Sequence, residues 1–309
     1  MPSTPSMRRA MPPEEAASIF AAHRARLVRL AYRMLGSTAE AEDIVQDAWL
    51  RWQRADRSEI RAPAAFLNRT VTRLCLDAMK SARARRETYV GSWLPEPIVE
   101  TTADELRLDE LTLTLMLALE RLSPLERAAF LLHDVFDVPL GEVAATLDRD
   151  PGAVRQLAVR ARQHVRAARP RYPVERDEGE RIARAFFAAS NGGDLDALRA
   201  MLAEGVTVRS DGGGKVWAFR NPIVGLERVL RLYMGLHRKL TERPPHLLAA
   251  AWIDGLPGYV SCERDGILQT TALAIEDGRI TAIYVIRNPD KLRQVASLLQ
   301  LPPHDHNPH

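Results

Sequence analysis

Cysteine and lysine are both scarce in this chain of 309 residues. Its two cysteines, Cys75 and Cys262, lie far apart and outside any CxxC pair. That excludes a thiolate zinc site and a disulfide framework, and it fits a reducing compartment. Lysine occurs only at Lys80, Lys215, Lys239 and Lys291, out of 43 basic residues, so arginine carries nearly all the positive charge. No apolar run approaches the ~20 residues of a membrane span. The N-terminal "MPSTPSMRRAMPP" has no apolar core of the signal-peptide kind. These absences describe a cytoplasmic chain with no membrane contact, whose residues 1–13 form a disordered tail. No metal, cofactor or catalytic residue is expected.

What is present is locally clustered charge. The formal net charge is only +3, yet "KSARARR" (80–86) and "RQLAVRARQHVRAARPR" (155–171) contain no acidic residue. The second run lies in "GEVAATLDRDPGAVRQLAVRARQHVR", which reads as two short helices joined by a turn. Asp150 is placed to cap the second helix and Pro151 to occupy its first position. Val143, Ala144 and Leu147 form one apolar stripe, and Val154, Leu157, Ala158, Ala161 and Val165 form another. Arg155, Gln156, Arg160, Arg162, Gln163 and Arg166 are left facing outward. Arginine can pair bidentately with guanine and glutamine with adenine, so this pair of helices suits the major groove of DNA. A merely solvated arginine-rich face is the alternative.

Two earlier helices carry opposite charge. In "GSTAEAEDIVQDAWLRWQRA", Ser37 and Glu40 have capping-box spacing, and Ala41, Ile44, Val45, Ala48 and Trp52 make the apolar stripe. Glu42, Asp43, Gln46 and Asp47 occupy the other side, with Leu50 beside them. An acidic face with an exposed apolar residue fits a basic protein partner better than DNA. In "APAAFLNRTVTRLCLDAMKSARARRE", Phe66, Leu67, Val71, Leu74, Cys75 and Ala78 supply a core side. Asn68, Arg69, Arg73, Lys80, Arg83, Arg85 and Arg86 make a basic side suited to phosphate or single-strand binding.

An acidic helix, a basic helix and a helix-turn-helix in this order resemble a bacterial RNA polymerase sigma factor of the extracytoplasmic-function (ECF) type. The motifs that carry the resemblance are "AEDIVQDAWLRWQR", "AAFLNRTVTRLCLDAMKSARARR" and "LSPLERAAFLLHDVFDVPLGEVAATLDRDPGAVRQLAVRARQHVR". The resemblance implies that Asp43, Gln46, Asp47, Trp49 and Leu50 dock on the clamp of the polymerase core's largest subunit. It implies −10 recognition and strand separation by Asn68, Arg69, Arg73, Asp77, Lys80 and Arg83. It implies that Arg149, Gly152, Ala153, Arg155, Gln156 and Arg160 read the −35 element. His133 and His164 read as ordinary packing or surface histidines.

Beyond "RYPVERDEG" the pattern changes. Helices over 180–189, 195–203 and 226–240 are followed by short alternating segments in which Asp277-Gly278 marks a hairpin. This order resembles the SnoaL-like, cone-shaped α+β barrel of the NTF-like superfamily, and ECF sigma factors with such an extension form a recognised subgroup. Its recurring motifs read here as "WLPEP" (Trp93, Leu94, Glu96), "DGGGK" (Asp211, Gly212, Gly213, Gly214, Lys215) and "NPDK" (Asn288, Asp290, Lys291). The fold class is therefore multidomain: two all-α sigma domains and an α+β barrel. The expected boundaries are 14–88 for region 2, 89–108 for the linker, 109–172 for region 4 and 176–309 for the barrel.

The glycine turn suits close backbone approach, and Lys215 has a carboxylate partner within reach of the argument at Glu96. These features point to intramolecular contact between the C-terminal domain, the linker and the sigma domains, which modulates activity in place of a separate anti-sigma factor. Two alternatives stand. One is a cyclase- or isomerase-type enzyme fused to a DNA-binding module, with Asp211 and His237 as the candidate catalytic groups. The other is a repressor or activator that never joins polymerase. A ligand of the barrel is not named by any motif.

Overall fold

The computed structural model describes residues 12–56, 60–87, 89, 91–100, 113–166, 174–239, 244–263 and 265–301, with backbone only for 81–87, 166 and 239. In chain order the elements are α1 (Pro13–Leu35), α2 (Thr38–Arg54), α3 (Pro63–Glu87), β1 (Val99–Glu100), α4 (Leu113–Leu119), α5 (Pro124–Phe130), α6 (Leu140–Leu147) and α7 (Pro151–Arg166). There follow α8 (Arg176–Gly192), α9 (Leu195–Met201), β2 (Leu202–Asp211), β3 (Ile223–Val224), α10 (Leu226–Lys239), β4 (His246–Ile253), β5 (Leu256–Cys262), β6 (Leu268–Glu276), β7 (Arg279–Ile286) and α11 (Arg293–Leu298). The described residues divide into two compact units, Met1–Arg85 with Leu119–Ala167, and Arg86–Ala118 with Ala168–His309. Helix α1 already starts at Pro13, and residues 1–11 of the expected tail lie outside the described residues.

In the first unit, local signals set the helix ends. Gly36 closes α1 in the left-handed conformation (φ 74°), and the next residue, Ser37, caps α2 by accepting the Glu40 N–H at 3.2 Å. Two residues thus turn one helix into the next. Trp52 is fully buried, donates its indole N–H to Ala16 O at 2.9 Å and lies 5.6 Å from the Phe66 ring. Phe66 therefore packs as the opening of α3 requires. Ser123 and Glu126 form a complete capping box on α5. A π-helical turn, Leu131–Val135, follows α5. Asp148 ends α6 in the left-handed region (φ 54°), and Asp150 caps α7 by accepting the Ala153 N–H at 2.9 Å.

One buried cation ties this unit together. Arg127 is 2% exposed and donates to Leu119 O at 2.9 Å, to Met34 O at 2.7 Å and to the Glu120 carboxylate at 2.7 Å. Met34 and Leu119 lie in the last turns of α1 and α4, whose carbonyls have no intrahelical donor. A single guanidinium therefore satisfies two helix C-termini, where positive charge is also favoured by the helix dipole. Arg26 and Arg33 of α1 flank the Phe136 ring at 5.4 and 5.2 Å from its centroid.

The second unit is built on a sheet of strand order β1-β4-β5-β6-β7-β2-β3, antiparallel except for the β2/β7 pair. Register shifts in β2, β4 and β6 mark irregularities of the bulge kind, which bend a sheet. Asp277 and Gly278 both have positive φ, as the β6–β7 hairpin turn requires. Asp254 and Gly255 do the same between β4 and β5, a second Asp-Gly turn of equal sequence signal. Helix α9 stops at Met201, two residues before the expected end, because Leu202 and Ala203 already belong to β2.

Both faces of this sheet are covered. Leu273, Ile275, Ile280 and Ile283 join Phe186, Leu198 and Val229 of the helices in one core. Ala272, Ala274, Ala282, Tyr284 and Ile286 join Leu94, Leu113 and Val295 in another, on the opposite side. This explains the nearly unbroken apolar run of β7, "ITAIYVI", since a strand buried on both faces has no need of alternating polarity.

Replacing Arg127 with Met should leave the Glu120 carboxylate and two helix-end carbonyls without their donor. A loss of roughly 3–5 kcal/mol is expected in the stability of the first unit, read from urea unfolding by far-ultraviolet circular dichroism. A loss below about 1 kcal/mol would mean that water replaces the guanidinium at no great cost.

Candidate nucleic-acid and linker interfaces

On α2 the stripe and its opposite face separate as the spacing requires. Ala41, Val45, Ala48 and Trp52 are buried, whereas Asp43, Gln46 and Asp47 are exposed. Leu50 is 39% exposed, and Trp49 is half-buried against Phe20, ring centroids 4.9 Å apart. Glu42, on the same side, is tied to Arg24 by an ion pair. The acidic surface is thus open at three polar positions around an exposed leucine.

The basic face of α3 is less open. Arg69 and Lys80 are exposed, and Lys80 bonds Asp77 at 2.8 Å. Arg73, also exposed, donates to Thr146 O at 3.4 Å. Asn68 departs from the expectation: it is 8% exposed and belongs to the buried side. It directly follows Leu67 and lies three residues before Val71, both buried, so the helix turns it inward with them. The side chain of Arg83 lies outside the described residues.

On α7, Val154, Ala158, Ala161 and Val165 are buried and Leu157 half-buried, while Arg149, Gly152, Arg155 and Gln156 are exposed and Ala153 is half-exposed. Arg160 is exposed but bonds Glu126 at 2.9 Å, and Arg162 bonds Asp134 at 2.6 Å. The N-terminal turn is therefore the free part of this helix, and its middle is held by carboxylates of α5 and the π-turn. The side chain of Arg166 is outside the described residues. His133 makes a local bond, Nδ1 to Val138 O at 3.1 Å, and His164 is exposed.

In the second unit the "DGGGK", "WLPEP" and "NPDK" segments come together around one carboxylate. Asp211 is fully buried. Its Oδ1 accepts the Tyr89 hydroxyl at 2.5 Å and the Gly213 N–H at 3.0 Å; its Oδ2 accepts the Leu94 N–H at 2.8 Å and Lys291 Nζ at 2.8 Å. Lys291 also donates to Leu94 O and sits 4.3 Å from the Trp93 ring centroid. Asn288 donates to the Tyr89 oxygen at 3.0 Å.

Gly213 has φ 65°, and a Cβ there would lie 2.4 Å from Asn288 Nδ2, so the turn tolerates no side chain. A Cβ on Gly212 would lie 2.4 Å from Val216 O, and Gly214 has φ 71°. Lys215 does not meet Glu96. It bonds Asp290 at 2.5 Å, and that bond holds the Asp290 carboxyl below its ordinary range. Glu96 is buried at 5% exposure, away from this exposed pair.

The linker is fastened further along its length. Asp254 exchanges bonds with Ile98, its N–H to Ile98 O at 2.9 Å and its Oδ1 from the Ile98 N–H at 3.3 Å. Val99–Glu100 pairs with β4, and Glu100 bonds Arg176 at 2.6 Å. Leu113 N–H, past the undescribed residues 101–112, donates to Asp254 O at 2.8 Å. Sequence reasoning found Trp93, Leu94, Asp211 and Lys291, but missed Tyr89, Ile98, Glu100 and Asp254. The second Asp-Gly turn and the both-faced apolar strands were the available signals.

Asp211 and His237, the two candidate catalytic groups, are not brought together. Asp211 faces the linker, whereas His237 bonds Asn191 O through Nδ1 at 2.9 Å and lines a cavity among the helices and strands. Among the described residues no cluster of His, Cys, Asp and Glu could hold a metal ion, and no helix is long and apolar enough to cross a membrane.

An acidic helix, a basic helix and a helix-turn-helix beside a fused α+β domain define a multidomain DNA-binding protein of the transcription-initiation class. Residues 19–85 match Sigma-70 region 2, and residues 112–165 match Sigma-70, region 4. The chain is 39% identical over 292 residues to the ECF RNA polymerase sigma factor SigJ of Mycobacterium tuberculosis, covering 89% of this chain and 92% of that one. It is 36% identical over 277 residues to the probable ECF RNA polymerase sigma factor SigI of the same organism, covering 88% and 92%. The crystal structure of Mycobacterium tuberculosis SigJ matches with a TM-score of 0.71 at 34% identity, covering 89% of this chain and 98% of that one. The chain belongs to the extracytoplasmic-function RNA polymerase sigma factors.

Burial, and after it the adjacent Asp211 charge, raise the Tyr89 phenol above its ordinary value of 10.0. The folded chain then holds this proton more tightly than the unfolded chain. Its contribution is complete below about pH 10 and is lost as the pH rises above that value. Unfolding midpoints at about pH 8.5 and about pH 10.5 should therefore differ more for the parent chain than for Tyr89→Phe. Equal pH slopes would mean that the phenol titrates freely and is not held by Asp211.

Proposed function

We propose that this sigma factor docks on the polymerase clamp through Asp43, Gln46, Asp47, Trp49 and Leu50, and that its linker-bound C-terminal domain sets its activity. Open carboxylates around an exposed leucine support the docking surface, because charge orients an approaching basic partner while the apolar residue is buried on contact. Arg69, Arg73, Asp77 and Lys80 serve the −10 element. Arg149, Gly152, Ala153, Arg155 and Gln156 enter the major groove at −35, where Arg155 and Gln156 are free to read base edges. Arg160 must exchange Glu126 for a phosphate or base on binding, which adds a desolvation and repairing step to promoter engagement. The chain acts in the cytoplasm with polymerase and promoter DNA.

The observation that carries the regulatory reading is the commitment of Asp211 to the linker. A linker held at Tyr89, Leu94, Ile98 and Glu100 cannot vary its length freely, and linker length governs how two DNA-reading modules address sites on one duplex. The same commitment favours regulation over catalysis, since a carboxylate saturated with donors is a poor base.

Asp43→Arg with Asp47→Arg should abolish binding to purified polymerase core while leaving the helical content unchanged, as both side chains face away from the core. Core binding undiminished in a folded double variant would remove the docking assignment. Trp93→Ala removes the ring beneath Lys291, and this variant should change transcription from a promoter pool severalfold without changing the −35 and −10 sequences selected. Output and selection identical to the parent chain would make the C-terminal domain a passenger.

A further inference from the structure

A cavity of about 360 Å³ opens in the C-terminal unit between α8, α10 and strands β2, β5, β6 and β7. Its size is that of a pocket for a drug-sized molecule. Tyr233 and Tyr259 contribute aromatic walls, and Trp217 and Phe219 stand at the lining from the segment after the glycine turn. The Trp217 ring packs edge-on to Phe219, centroids 4.9 Å apart, yet Trp217 is 62% exposed, more than any other large apolar residue described. Nothing in the fold uses that indole. An exposed ring beside a concave apolar wall is a surface for a ligand ring.

The polar side of the cavity is equally specific. Arg287 is 7% exposed, paired with Asp265, and donates to Trp217 O at 2.8 Å. Its Nε is buried and has no hydrogen-bond partner. A buried donor without a partner costs stability unless something supplies an acceptor. Glu263 and Asp265 also line the cavity, so two carboxylates face one guanidinium there and an anionic ligand is disfavoured. The chemistry that fits is an uncharged ring system carrying a carbonyl-type oxygen, with the oxygen toward Arg287 and the ring toward Trp217.

The cavity shares two segments of chain with the linker contacts. Residues 211–219 hold Asp211 at one end and Trp217 and Phe219 at the other. Residues 285–291 hold Val285 and Arg287 of the cavity and Asn288 and Lys291 of the linker site. The Arg287 and Asn288 N–H groups both donate to Asp211 O, at 2.8 and 3.0 Å. A ligand that orders the first segment orders the support of Asp211 as well.

We propose that this cavity is a binding site for a small, uncharged, ring-bearing molecule with a carbonyl-type oxygen, and that occupancy tightens the hold of Asp211 on the linker. The second clause rests on the regulatory reading above; the first does not. The test uses the full chain and prodan, an uncharged naphthyl ketone whose emission shifts to the blue in apolar surroundings. One prodan should bind per chain. Leu236→Trp, which fills the cavity, should abolish the shift, and Trp217→Ala, at an exposed position that leaves folding intact, should weaken binding about three- to tenfold. Anilinonaphthalene sulfonate, a ring system of similar size bearing a negative charge, should bind about tenfold more weakly than prodan. Hydrogen exchange of the Leu94 amide should slow severalfold with prodan bound.

No blue shift, or a shift that neither substitution alters, overturns the site. Saturable binding with unchanged Leu94 exchange overturns the coupling. Slower Leu94 exchange together with unchanged transcription in Trp93→Ala upholds the site and its coupling and places the failure in the regulatory reading.

Discussion

A carboxylate shut away from water must be matched donor by donor, and in the C-terminal unit that carboxylate is Asp211. Its four donors come from four places: Tyr89 and Leu94 in the linker, Gly213 in the glycine turn, and Lys291 after β7. No one of these can be withdrawn without leaving charge or a polar atom unmatched in the interior. The path of the linker, the shape of the turn and the position of the "NPDK" segment are consequently one constraint. Gly213 is part of it for a steric reason, since Asn288 occupies the space a side chain would need.

The linker also completes the sheet. Leu94 is fully buried in the core on the side opposite α8 and α10, and Val99–Glu100 extends the sheet beyond β4. Burial of a leucine side chain stabilises by roughly 1.5–3 kcal/mol, comparable to the buried ion pair beside it. Apolar burial holds the strap in place, and the polar contacts at Asp211 and Asp254 set its register. Neither alone would do both, because the hydrophobic effect has no direction and hydrogen bonds contribute little net energy.

The first unit uses buried charge in the same way. Arg127 ends two helices at once, and its surroundings leave the acidic face of α2 and the first turn of α7 open. Charges that hold the fold are buried and saturated, and charges available to partners are exposed. Arg73 and Arg160 stand between these groups, exposed yet bonded to α6 and α5. Such weak surface contacts are easily exchanged for phosphate.

Much of this was legible in the residues alone. Helix ends at Gly36-Ser37 and Asp150-Pro151, the apolar stripes of α2 and α7 and the Asp277-Gly278 turn follow from local stereochemistry and from periodicity, which depend on near neighbours in the chain. The order of acidic, basic and helix-turn-helix segments named the family on the same local grounds. Asn68 was misplaced because its helix phase lies at the edge of the apolar stripe, where only packing decides which way a side chain faces. The partners of Asp211, Lys215 and Lys291 were out of reach for a different reason. They are separated by 75 to 122 positions, and a charge on a loop can satisfy any opposite charge that the fold brings near. Composition shows that Lys215 needs a carboxylate; whether Glu96 or Asp290 supplies it is decided by where β7 ends against the glycine turn, which is a property of the folded sheet.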